Sequence, residues 1–213
     1  MCFRNKCLTN NCVSNYTDGG TPTIHYLGDT SHMSNLPTPG VYTIDPVHSS
    51  IAFVARHLVA AKARGTFTEF GGTITVGETL ETTRVEATAQ AASITTGNEM
   101  RDGHLKSADF LDLENHPTLN LVSSSVTSKG GDRFELIADV TIRGVTKAVT
   151  FDLEYLGSGA GMAPGVTVAG FEARAEIDRR DFGVNFEGAL ENGSLVVGNK
   201  VVIELNVEAA KQA

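Results

Sequence analysis

The stretch Arg133-Phe134-Glu135-Leu136-Ile137-Ala138-Asp139-Val140-Thr141-Ile142, followed by Arg143-Gly144 and then by Val145-Thr146-Lys147-Ala148-Val149-Thr150-Phe151-Asp152-Leu153-Glu154-Tyr155, decides the fold class. In its first half Phe134, Leu136, Ala138, Val140 and Ile142 alternate with Arg133, Glu135, Asp139 and Thr141; Ile137 is the one exception. In its second half Val149, Phe151, Leu153 and Tyr155 stand opposite Thr150, Asp152 and Glu154. Successive strand side chains point to opposite faces, so this period of two marks strands with one buried and one wet face. The short Gly-containing connection between them implies an antiparallel pair.

The period recurs to either side. Val85, Ala87, Ala89 and Ala91 alternate with Arg84, Glu86, Thr88 and Gln90, and Phe171, Ala173, Ala175 and Ile177 with Glu172, Arg174, Glu176 and Asp178. Val201, Ile203, Leu205 and Val207 stand against Lys200, Glu204, Asn206 and Glu208. Weaker instances cover Ile51 to His57, Ala63 to Phe70 and Leu119 to Val126. At least eight such segments, joined by Gly-containing turns such as Gly71-Gly72 and Gly130-Gly131, predict an antiparallel meander. Closing it into a barrel removes its exposed edges, with a β-sandwich as the alternative. One segment, Asn98 to Leu113, breaks the period. Met100, His104 and Leu105 fall at i, i+4 and i+5 behind Asn98 as N-cap, which predicts one short helix and a further turn, enough to cover a barrel end.

The 213 residues, 41% hydrophobic and 20% charged, suit one globular domain with a real core. A formal net charge of −8 disfavours nucleic acid as a partner, since phosphate backbones are gripped by clustered Lys and Arg. No apolar run reaches the length of a membrane span, and no secretory signal is visible. These features predict no stable membrane insertion and, as the chain is written, a cytoplasmic location. Residues 1–38, rich in Asn, Thr, Ser, Gly and Pro, read as a disordered leader or a start-site extension, with Met33 a candidate natural start; the barrel domain then covers 39–213. Cys2, Cys7 and Cys12 lie in that leader at a spacing unlike the usual zinc patterns, and their role is open.

Several motifs occur in a particular order: Asp45-Pro46-Val47-His48-Ser49-Ser50, Arg56-His57-Leu58, Arg64-Gly65-Thr66-Phe67, and Ser93-Ile94-Thr95-Thr96-Gly97-Asn98-Glu99. Arg101-Asp102-Gly103-His104-Leu105, Ser107-Ala108-Asp109-Phe110, His116-Pro117, Arg143-Gly144-Val145-Thr146 and Arg179-Arg180-Asp181-Phe182-Gly183 follow. In this set residues 40–209 resemble the YceI family, lipocalin-like proteins described as polyisoprenoid-binding. The resemblance implies an eight-stranded lipocalin-like barrel whose apolar interior holds an isoprenoid chain, and it implies no cofactor. Two departures stand out. Family members often carry an export signal, missing here, and many have Trp near the first strand, where this chain has Val41 and Tyr42.

The residues themselves point to a cavity. Eight strands enclose room for packed side chains or for one small ligand, and Ala87, Ala89, Ala91, Ala173 and Ala175 on the inner faces favour the ligand. The expected lining comprises Phe53, Phe67, Ala87, Ala89, Ala91, Leu105, Phe110, Phe151, Phe171, Ala173 and Phe182; the alternative is that Phe53, Phe151 and Phe171 fill the space. Read as one strand of 13 residues, Arg84 to Thr96 spans about 43 Å, or roughly 33 Å of barrel height, which suits several isoprene units.

His48, His57, Arg101, Asp102 and His104 are the candidates for a polar mouth. His48 and His57, nine apart, point to opposite faces of one unbroken strand, which argues against a shared metal and for histidines bonded to a carboxylate or carbonyl, as is also expected of His116. By residue type Arg101, Asp102 and His104 suit general acid–base work, against the plainer reading of an Asp–Arg pair that pins the helix. No Walker A motif, nucleophile elbow or His-Glu-x-x-His occurs, and Gly157-Ser158-Gly159-Ala160-Gly161 reads as a hairpin loop. The chain is therefore expected to be a carrier or sequestering protein for a polyisoprenoid, isoprenoid quinone or related lipid, and not an enzyme. The alternative is an enzyme acting on such a lipid through His48, Asp102 and His104; a homodimer is left open.

Overall fold

The computed structural model describes residues 36–58, 61–188 and 196–212. The leader, its three cysteines and Met33 lie outside them apart from residues 36–38. Eleven strands and one helix follow in order: β1 (Gly40–Ile44), β2 (Ser50–His57), β3 (Ala61–Phe67), β4 (Phe70–Val76), β5 (Arg84–Gln90), β6 (Ile94–Thr95), α1 (Glu99–Lys106), β7 (Thr118–Gly130), β8 (Arg133–Ile142), β9 (Val145–Ala160), β10 (Thr167–Asp178) and β11 (Val197–Lys211).

Eight of these strands close a ring in the order β1-β4-β5-β7-β8-β9-β10-β11, with β11 returning to β1, and every pair is antiparallel. The sandwich alternative falls away. In the hairpin of β8 and β9, Leu136 faces Phe151 and Phe134 faces Leu153, while Arg143 (φ 50°) and Gly144 (φ 73°) make the tight turn. Positive φ at both central turn residues matches the twist of the flanking strands, and glycine adopts it without strain. Ile137, the break in the alternation, is only partly covered and pairs with Thr150.

The three remaining strands continue the wall past the ring. β2 runs along the same edge of β11 as β1, from Ser50 opposite Asn206 to His57 opposite Val197, so Asp45 to Ser49 form a corner in the wall. β3 pairs with β2, and its Thr68-Glu69 connection leads into β4. Ala63 to Phe70 is thus two strands with a bend, not one. β6 pairs with β3 alone among the described residues, and the hydrogen-bonded wall stops there. α1 packs on β6 and covers the break.

Three sequence expectations are corrected here. Arg84 to Thr96 is not one strand of 13 residues: β5 ends at Gln90, and Ala91–Ser93 form a 3-10 turn in which the Ala91 N–H donates to Pro117 O, redirecting the chain onto β3. The barrel's length is carried instead by β9, whose 16 residues extend for about 53 Å, or roughly 40 Å of height at ordinary tilt. Gly71-Gly72 is not a turn but the start of β4, where Gly72 faces Ala87 so closely that a Cβ on it would collide with the Glu86 carbonyl. The Gly157 to Gly161 run likewise belongs mostly to β9, with a bulge opposite Gly170 and Phe171.

Candidate functional site

The inward faces enclose an apolar bore with two chambers. The larger, about 210 Å³, lies towards α1 and the turn Arg179–Phe182. The smaller, about 90 Å³, lies towards β1 and Tyr155. Ile51, Ala87, Leu121 and Leu205 line both and form the waist between them.

Of the residues expected to line the interior, Phe53, Phe67, Ala87, Ala89, Leu105, Phe110, Phe151 and Phe182 all face the larger chamber. Phe171 and Ala173 line the smaller one, where the Phe171 and Tyr155 rings lie 5.5 Å apart. Ala91 lines neither. It is buried, but its place at the head of the 3-10 turn breaks the alternation that put it inward. Phe53 also explains a motif: its ring lies where a Cβ on Gly65 would stand, so the glycine gives the aromatic its seat in the chamber wall.

The polar candidates do not form one mouth. His48 sits at the corner between β1 and β2, exposed, with Nδ1 2.8 Å from Asp45 and 3.7 Å from Glu208. The Asp45 carboxylate beside it raises the His48 pKa, and the same bond lowers that of Asp45. His57 ends β2, exposed, opposite Val197. Arg101, Asp102 and His104 share α1, a helix capped by Asn98, whose Oδ1 accepts from the Arg101 N–H at 3.0 Å.

Within α1, Arg101 and Asp102 share Thr96 as a partner, while His104 has another. Asp102 accepts from the Thr96 N–H at 2.8 Å, from Thr96 Oγ1 and from Thr95 Oγ1 at 3.0 Å, bonds that hold its carboxyl below the usual range. Arg101 donates to Thr96 Oγ1 and to the Thr96 carbonyl. The expected Asp–Arg pin is therefore corrected: both residues clamp the helix to the end of β6 through Thr96 rather than through each other. His104 Nε2 lies 2.9 Å from Asp109, and its ring meets Phe110 and Phe186 edge-on, at 4.9 and 5.0 Å. His48, Asp102 and His104 thus have separate partners and make no shared hydrogen-bonded set.

One polar feature of the larger chamber escaped the sequence reading. Thr88 and Asn120 bond at 2.9 Å across β5 and β7, but on the outward face, with Glu86, Gln90 and Val122. Arg179, by contrast, lines the chamber, 5% exposed. The signal was present, because Arg179 continues the inward parity of Phe171, Ala173, Ala175 and Ile177.

A YceI-like domain model matches residues 42–209. The chain belongs to the YceI-like family. A UPF0312 protein of Staphylococcus aureus is 36% identical over 171 residues, covering 78% of this chain and 95% of that protein. Among solved structures, BcnA of Burkholderia cenocepacia aligns with a TM-score of 0.68 at 20% identity, over 78% of this chain and 98% of its own. A YceI protein of Campylobacter jejuni aligns at 0.64 and 20%, over 90% of this chain and all of its own. A polyisoprenoid binding domain from Saccharophagus degradans, implicated in plant cell wall breakdown, aligns at 0.60 and 14%, over 80% of this chain and 98% of its own. The YceI-like motifs fall at structural joints: the wall corner at Asp45 to Ser50, the seat of Phe53 at Gly65, the helix clamp at Thr95-Thr96 and Asp102, and the turn at Arg143-Gly144. No helix among the described residues is long and apolar enough to cross a membrane.

Proposed function

We propose that this YceI-like barrel binds a long apolar lipid of the isoprenoid type along its bore, as a carrier or sequestering protein without catalytic activity. The observation that carries the reading is the pair of apolar chambers meeting at a four-residue waist, a shape suited to a flexible chain rather than a compact solute. Interior apolar surface left unfilled by side chains is stabilised by an apolar guest at about 25 cal/mol per Å² removed from water. The name of the Saccharophagus domain supports the same ligand class. An enzyme would need its acid–base groups gathered on one reacting atom, and the separate partners of His48, Asp102 and His104 favour a binding protein.

Native mass spectrometry of the purified protein tests this reading. The expected result is a retained mass of several hundred daltons that extracts into organic solvent. A barrel that stays empty when offered prenyl alcohols, quinones and fatty acids would overturn it.

A further inference from the structure

Two neighbouring arginines at the end of β10 are treated in opposite ways. Arg180 is exposed and grips Asp178 with Nε and Nη2, at 2.9 and 2.6 Å, holding that carboxyl down to about 2. Arg179 is buried, and among the described residues no carboxylate lies within ion-pair distance of it. Its charge is solvated by neutral oxygens instead. Nε donates to Gly198 O at 3.2 Å, Nη1 to Val184 O at 2.6 Å, and Nη2 to Phe186 O and Asn199 Oδ1, both at 2.9 Å.

A guanidinium carries five N–H donors, two of them on Nη1, so one Nη1 hydrogen has no partner among the described residues. Burial pulls the Arg179 pKa below its ordinary value, yet a guanidinium in a protein does not lose its proton. Asp178 and Glu187 act on this charge only from beyond ion-pair distance, so among the described residues the wall of the larger chamber holds a positive charge without a directly bonded anion, where water is scarce and attraction to an anion is strong.

We propose that Arg179 receives the anionic head of the lipid, a phosphate or carboxylate oxygen, and so sets the ligand's direction: head at the Arg179–Phe182 turn, tail through the waist into the smaller chamber. This rests on the lipid-binding reading above and adds a head group and a polarity to it. The chain's net charge of −8 repels anions in general, so a preference for an acidic head has to originate from a local cation.

The test compares geranylgeranyl phosphate with geranylgeraniol, and a C16 fatty acid with its alcohol, by calorimetry on the parent and on Arg179→Met and Arg179→Lys. The parent should bind at least one acidic lipid about tenfold or more tighter than its alcohol, as expected for a hydrogen bond to a charged group. That ratio should collapse towards one in Arg179→Met and survive in Arg179→Lys; which acid shows it separates phosphate from carboxylate. Equal affinities in the parent, or an unchanged ratio in Arg179→Met, overturn the head-group site. Failure of all four lipids to bind overturns the lipid-binding reading itself. A measurement on the parent alone covers the case in which the variants do not fold. A diazirine near the phosphate should label the peptide holding Arg179 to Phe186, and one at the tail terminus should label Phe134 or Leu136; the reverse pattern overturns the proposed direction.

Discussion

Asp102 on the helix accepts the backbone N–H of Thr96 at 2.8 Å, so this carboxylate, with Arg101 beside it, fastens the cap over the break in the barrel wall to the end of a two-residue strand. α1 buries none of its residues fully, and Leu105 and the His104 ring supply its packing on the barrel. Asp102→Ala should therefore loosen the cap without unfolding the barrel. Hydrogen exchange should rise at Gly97 to Lys106 and stay unchanged in β8 and β9, and lipid should load and leave faster. Unchanged exchange in α1 would show that the clamp is not what holds it.

The same bonds predict a pH dependence. Because hydrogen bonding from Thr96 and Thr95 lowers the Asp102 pKa from the ordinary aspartate value of 3.8, the carboxylate contributes stability that is complete above that value. The contribution is lost as pH falls through the lower folded value. Carbon-detected NMR titration should show Asp102 titrating below 3.8, with amide shifts of α1 following it.

Ala89, 5% exposed and facing Phe70 and Leu119, lines the larger chamber. A Phe in its place should project into ligand space, so lipid binding should fall sharply while the melting temperature changes little. A loss of 1 to 3 kcal/mol, about the usual cost of overfilling a packed interior, would mean that the chamber is closed core.

Ala87 stands at the waist. Each buried CH2 contributes about 0.8 kcal/mol, so affinity should climb by roughly 3 kcal/mol per isoprene unit, before ordering costs, until the bore is full. Ala87→Leu narrows the passage to the smaller chamber. Prenyl alcohols of increasing length should then stop gaining affinity at a shorter chain than in the parent; an identical plateau would show that the chain does not pass the waist.

Gly65 gives Phe53 its seat. Gly65→Ala should displace the ring into the chamber, lowering lipid affinity and stability together, the latter by about 1 to 3 kcal/mol. Adding Phe53→Leu should restore part of both, because residues in contact couple strongly in double-mutant cycles. Strictly additive effects would count against the contact.

Period two was legible where strands bury one face and wet the other, as in β8 to β11, and it placed Phe53, Phe67, Ala87, Ala89 and Phe151 on the larger chamber. It failed at Ala91, because the 3-10 turn begins without Gly or Pro and keeps the apolar parity for one residue too long. At Gly71-Gly72 glycine signalled a turn, whereas the structure uses it for close approach between strands. Arg179 was hidden by its company: beside Arg180 and Asp181 it reads as surface charge, and only its carbonyl partners, drawn from a segment up to 20 residues further along the chain, keep it inside. Helix clamping through Thr96 was equally out of reach, since opposite charges one residue apart suggest each other rather than a common third partner.

The break beside β6 has a consequence for solubility. A closed barrel has no free strand edge, but this wall stops at Ile94–Thr95, with one strand partner and a polar helix laid over it. Unpaired strand edges are templates for pairing with another chain. Displacing α1 would bare such an edge and leave the barrel open to pairing with its own copies. The carboxylate of Asp102, by occupying the Thr96 N–H, withholds one such donor from a second chain, so the bond that fastens the helix also blunts the edge beneath it.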